Sequence, residues 1–145
     1  FLSPDEAALV RLDEIEKFKN SELLLRMKGA VRIWRELRFN IRLPAEKFSR
    51  EAERRAAISG KKILVQGVID LFFIDADGRL VLCDYKTDRL TREELKDGEL
   101  ARKTLTERHG EQLGYYSLAL ERIMGRRPDR VCIFSLHAGC AFDVI

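Results

Sequence analysis

Long apolar runs are missing from this sequence. None approaches the roughly 18–20 residues of a bilayer-spanning helix, and no charged-then-apolar signal segment opens the chain, so a cytoplasmic protein with no membrane anchor is expected. Cysteine is scarce. Cys83, Cys132 and Cys140 fit neither a C-x-x-C metal site nor a disulfide framework, are too few for a four-cysteine iron–sulfur cluster, and read as reduced thiols. Histidine is limited to His109, placed near a helix start, and His137, placed at a strand end, and both read as surface or capping side chains rather than metal ligands. Glycine-rich phosphate loops, internal repeats and low-complexity tracts are absent. The net charge of +3 is too small for a protein that grips nucleic acid by charge alone.

What remains is a chain of 145 residues, 46% hydrophobic and 35% charged, which suits one globular domain with a modest core. Phe1 in place of an initiator methionine leads us to expect a domain belonging to a longer polypeptide. Ser3-Pro-Asp-Glu6 has capping-box spacing and opens an amphipathic helix expected over Ser3–Asn20, followed by a second over Ser21–Lys28 that ends at Gly29. Val31 to Leu43 alternates as a half-buried strand, with Ile33, Leu37, Phe39, Ile41 and Leu43 on one face and Arg32, Trp34, Glu36, Arg38 and Arg42 on the other. That second face is either solvated or part of a DNA path. Pro44 to Lys62 is polar and basic, as connections usually are.

The densest signal is Lys61–Asp88. Ile63–Ile74 and Arg79–Thr87, rich in β-branched and aromatic residues, flank Asp75-Ala-Asp-Gly78, whose Asp-Gly pair suits the positive φ angles of a tight hairpin. Two residues apart on an extended strand, Asp84 and Lys86 share a face at roughly 6–7 Å along the chain. The hairpin brings Asp70 beside Asp84. Both acids interrupt strongly apolar runs, where a carboxylate is costly unless compensated. Two carboxylates and an ammonium suit phosphodiester hydrolysis, since hard oxygen ligands select Mg²⁺ or Mn²⁺ and a lysine can act on the water or on developing charge. The alternative is a surface pairing of these acids with Lys86 or Arg89.

Downstream, Thr91-Arg-Glu-Glu94 has capping-box spacing, Asp97-Gly98 closes a short helix before another helical stretch begins, and the longer helix is expected over about Glu111–Met124, capped by Gly125 and stopped by Pro128. Gln112, Tyr116, Ala119 and Ile123 fall on one helical stripe. Arg130–Leu136 and Ala141–Ile145 read as strands completing a mixed sheet.

Gly67-Val-Ile-Asp70, Asp84-Tyr-Lys-Thr87 and Gln112-Leu-Gly-Tyr-Tyr116, in that order, resemble the PD-(D/E)XK nucleases, and within them the nuclease domains of AddA/RecB-type bacterial helicase–nucleases, from about Glu36 to the C-terminus. The resemblance implies an α/β (α+β) fold with a restriction-endonuclease-like core, a mixed central sheet flanked by helices. Residues 1–145 would form a single nuclease domain preceded by a helicase portion. Asp70 and Asp84, with the Tyr85 carbonyl, would be metal ligands for Mg²⁺ or Mn²⁺, and Lys86 the catalytic lysine. Gln112 and Tyr116 would match a Q-x-x-x-Y motif that contacts DNA. It further implies a Mg²⁺-dependent exonuclease-type DNA nuclease acting in double-strand-break repair beside an AddB-like partner, the domain itself being monomeric.

The sequence departs from the family pattern twice. The upstream metal-binding histidine has no counterpart, and Arg38 stands where a Glu-x-Pro-Phe motif beginning at Glu36 would have proline. A DNA- or partner-binding module that cuts poorly, and a dimeric resolvase- or restriction-type endonuclease, therefore remain as alternatives.

Overall fold

The computed structural model describes residues 3, 11–48 and 56–144. Helices α1 (Leu12–Lys19) and α2 (Glu22–Lys28) lead into β1 (Arg32–Pro44) and a 3₁₀ turn, Ala45–Phe48. Then come β2 (Lys62–Ile74), β3 (Leu80–Lys86), α3 (Arg92–Lys96), α4 (Gly98–Met124), β4 (Arg130–Ser135) and β5 (Cys140–Asp143). The expected Ser3 capping box and most of the first turns after it lie outside the described residues. No helix among the described residues is long and apolar enough to cross a membrane.

The strands form one mixed sheet in the order β1-β2-β3-β4-β5, with β3 and β4 parallel and the other neighbours antiparallel. The parallel step requires a crossover, which α3 and α4 supply. Alternation along β3 and β4 separates two cores. Leu80, Leu82, Val131 and Ile133 pack against Leu105, Leu113 and Leu120 of α4, whereas Val81, Cys83, Cys132 and Phe134 pack against Leu23 and Met27 of α2. Helices thus cover both faces, as expected. Cys83 and Cys132 face each other in register as free thiols in the second core.

The hairpin turn differs from the tight Asp-Gly form. Gly78 alone in the loop has positive φ, at 80°, and its amide donates to the Asp75 carbonyl at 3.0 Å. The Asp75 carboxylate accepts from the amides of Asp77 and Arg79 and pairs with Arg26 of α2 at 2.5 Å, so a side chain organises the turn.

Helix α4 begins thirteen residues before the expected Glu111, since Gly98 is its first residue. Asp97 ends α3 and caps α4, its carboxylate accepting from the amides of Glu99 and Leu100. Gly110 and Gly114 lie within α4 without breaking it, because Ala101, Leu105 and Leu113 bury the stripe on either side. Ile123, expected on that stripe, is 45% exposed, the buried positions ending at Leu120.

The simple alternation expected for β1 also fails, for a reason that shapes the site. Trp34 does not sit on a polar face. Its ring stacks on Phe72 of β2, with centroids 4.7 Å apart, in the α4-side core, while Ile33 packs in the other core. Three residues later Leu37 is on the α4 side, although an odd number of steps should reverse the face. Strand β2 does the same, with Phe72 and Ile69 both on the α4 side and Leu71 and Phe73 opposite. Both strands kink at the same rung, between the pairs Arg35↔Leu71 and Leu37↔Ile69, so the register survives. The residues at that rung are Glu36, the one non-glycine residue with positive φ among those described (52°), and Asp70.

Candidate active site

Four elements converge where the sheet opens. The β2–β3 ladder stops at Leu71↔Cys83, and one further step in the same register would set Asp70 opposite Asp84. Instead the strands part, and the Tyr85 amide donates to Asp70 Oδ2 at 3.2 Å. Glu36 lies across from Asp70 at the kink, exposed.

On β3, Asp84 and Lys86 share the α4 face as their spacing predicts, with Lys86 Nζ 2.5 Å from Asp84 Oδ2. The surface-pairing alternative fits poorly, because Asp84 is only 2% exposed. Burial raises its pKa, with Asp70 adding to the rise, while Lys86 and His109 oppose it. The Lys86 ammonium meets Asp84 Oδ2 as a close ion pair, and it is this cation that compensates the buried carboxylate.

Helix α4 supplies the other wall. Lys86 Nζ donates to Gln112 Oε1 at 2.9 Å, and Gln112 Nε2 donates to the Tyr116 hydroxyl at 2.7 Å. One amide therefore joins the strand lysine to the helix tyrosine, a consequence of the i, i+4 spacing. The Tyr116 ring meets Phe39 edge-on at 5.7 Å, over Gly67, where a Cβ would come within 2.8 Å of the Phe39 ring. The first motif glycine is thus needed for close packing. Tyr85 turns its ring to the opposite core, against Phe18 and Phe134, where burial pushes its hydroxyl up to about 12. Only its backbone is available to the site.

The expected place of His109, near a helix start in a surface or capping role, is corrected by the length of α4. It sits well inside that helix, one turn before Gln112, and its Nε2 lies 3.0 Å from Asp88 Oδ2, with Arg108 pairing to the other Asp88 oxygen. This second rung, Asp88 to His109, runs beside the Lys86–Gln112 rung. Its sequence signal is the three-residue spacing to Gln112, visible only if the helix is begun at Gly98. His137 Nδ1 accepts from the Leu90 amide at 3.0 Å, in the connection just before the N-cap of α3.

Among the described residues no group of three or more His, Cys, Asp or Glu side chains is arranged to hold a metal ion. The donor set that is present, the Asp70 and Asp84 carboxylates on neighbouring strands, one of them buried, fits a hard divalent cation held partly by the protein.

Comparison with known proteins places these features in a family. The model of the PD-(D/E)XK nuclease superfamily matches residues 4–140, beginning well before Glu36. AddA, the ATP-dependent helicase/nuclease of Acetivibrio thermocellus, is 37% identical over 95% of this chain and 10% of its own length. The AddA protein of Clostridium kluyveri is 30% identical over 99% of this chain and 11% of its own, and that of Bacillus velezensis 35% over 84% and 10%. The chain spans about a tenth of the length of these curated relatives. With the match running through every element that builds the site, the chain belongs to the PD-(D/E)XK nuclease superfamily.

Proposed function

We propose that this chain is the Mg²⁺-dependent DNA nuclease domain of a bacterial double-strand-break repair helicase–nuclease, hydrolysing phosphodiester bonds in an exonuclease mode beside an AddB-like partner. The observation that carries this reading is Asp84, a buried carboxylate paired with Lys86, with Asp70 one register step away. Asp70, Asp84 and the Tyr85 carbonyl would hold Mg²⁺, for which Mn²⁺ can substitute. The ion would neutralise charge on the attacked phosphoryl group and acidify a water. Lys86, fixed between Asp84 and Gln112, is set to act on that water or on the developing charge. Gln112 and Tyr116 wall the site from the helix side, joined to Lys86 by hydrogen bonds, and would contact DNA there.

Asp84→Asn tests this in the parent helicase–nuclease. It removes a ligand charge at constant volume, so cleavage should be abolished and DNA affinity largely kept. Unchanged nuclease activity would sink the assignment. The alternative of a poor-cutting binding module rests on there being no group of three His, Cys, Asp or Glu ligands among the described residues, and metal dependence of cleavage separates the two readings.

A further inference from the structure

The β1–β2 ribbon runs far past the rest of the sheet. Its pairing continues to Pro44↔Lys62, whereas β3 engages only Leu71–Ile74 of β2. Beyond the kink, Leu37, Phe39, Ile41 and Leu43 turn to the α4 core. The opposite face is open to solvent and carries Arg38, Arg42 and Lys62, none of which has a carboxylate partner among the described residues.

We propose that this outer face is a binding track for one strand of DNA, leading to Asp70. The inference rests on the nuclease reading above for its direction, but not for its chemistry. No acidic residue occupies the face from Arg38 to Pro44 or from Lys62 to Val68; the first acids in the two rows are Glu36 and Asp70, at the site end. The cationic rows therefore end where the acids at the kink begin. Between the cations, Asn40 and Gln66 are register partners, two amides able to donate to phosphate or base edges. Leu64 and Val68, 55% and 39% exposed, offer apolar surface to base faces. A groove of about 490 Å³ runs there, lined by Arg38, Phe39, Asn40, Gln66, Gly67 and Val68.

The dimensions favour a single strand. Arg38 and Arg42 are about 13 Å apart along β1, while the two rows of side chains are only about 4.8 Å apart across the ribbon. That width seats one phosphodiester backbone, and a duplex would rest on its rim.

The test is equilibrium binding of the 145-residue chain to fluorescent oligothymidylate of about 20 nucleotides, without metal so that nothing is cut, across a salt series. Arg38→Glu with Arg42→Glu should weaken binding at least about tenfold and reduce the slope of log K against log salt by about 1.4, since each single-strand phosphate contact contributes about 0.7. Arg38→Lys with Arg42→Lys keeps the charge and should stay within about threefold, which guards against a folding artefact. Unaltered affinity and slope in the Glu pair, equal loss in the Lys pair, tighter binding of duplex than of single strand, or no binding by the unsubstituted chain would each overturn the track. An uncut but tightly bound strand in the metal-loaded parent enzyme would count against the catalytic reading alone.

Discussion

Lys86 reaches Gln112 across the gap between strand and helix, its Nζ donating to Oε1 at 2.9 Å while the other side of the same amide donates to Tyr116. Gln112→Ala should therefore loosen both partners and lower turnover by about tenfold or more, the loss of two positioned hydrogen bonds. Tyr116→Phe keeps the ring against Phe39 and should be milder. Lys86→Ala should reduce kcat more than DNA affinity. Equal losses in both would make Lys86 a phosphate anchor, and a severe effect of Tyr116→Phe would assign the hydroxyl a direct polar role.

Metal dependence follows from the incomplete ligand set. On the ligand set proposed above, Asp70, Asp84 and the Tyr85 carbonyl, Mg²⁺ should bind weakly and Mn²⁺ better, because Mn²⁺ binds the same oxygens more tightly. The 145-residue chain alone should show little Mg²⁺-dependent cleavage of linear single- or double-stranded DNA. A longer polypeptide carrying the family's upstream histidine helix should recover it. Full Mg²⁺ activity in the short chain would make that histidine dispensable.

Gly67→Ala should lower stability by about 1–3 kcal/mol, as overpacking does, since the added Cβ meets the Phe39 ring at 2.8 Å and the Tyr116 ring at 3.3 Å. Thermal melting reads the loss directly. Activity should fall with it, because the tyrosine that must yield is bonded to Gln112.

Asp75 makes the fold acid-sensitive. Burial raises its pKa, but the Arg26 guanidinium and the amides of Arg79 and Asp77 outweigh that and hold the carboxyl below its ordinary value. A depressed folded-state pKa contributes stability above the unfolded value of about 3.9, and this is lost as pH falls through the folded one. Asp75→Ala should cost about 2 kcal/mol at neutral pH through its lost charge-assisted hydrogen bonds. The difference from the parent should shrink in melts below about pH 4. A constant difference across that range would place the effect in packing.

The parts of the site legible in the sequence are those fixed by local periodicity. Period two sets Asp84 and Lys86 on one face, and i, i+4 stacks Gln112 on Tyr116, so both relationships survive folding unchanged. The parts that are not legible depend on partners distant in sequence. Trp34 belongs to the core because Phe72 turns at the same rung, which no pattern within β1 announces. His109 is hidden by glycines at 110 and 114, each worth about 1 kcal/mol against a helix. Apolar burial around them outweighs that preference, so helix α4 runs through both.

The matched kink also constrains how the ribbon can change its length. Insertion or deletion of one residue in either strand alone, between the kink and the far end, would exchange the faces of everything beyond it, driving Arg42 toward α4 and Leu43 into water. Two residues in each strand would leave both the faces and the pairing intact. The arm is therefore expected to vary among relatives in such even steps, with single-residue gaps confined to the connection after Pro44.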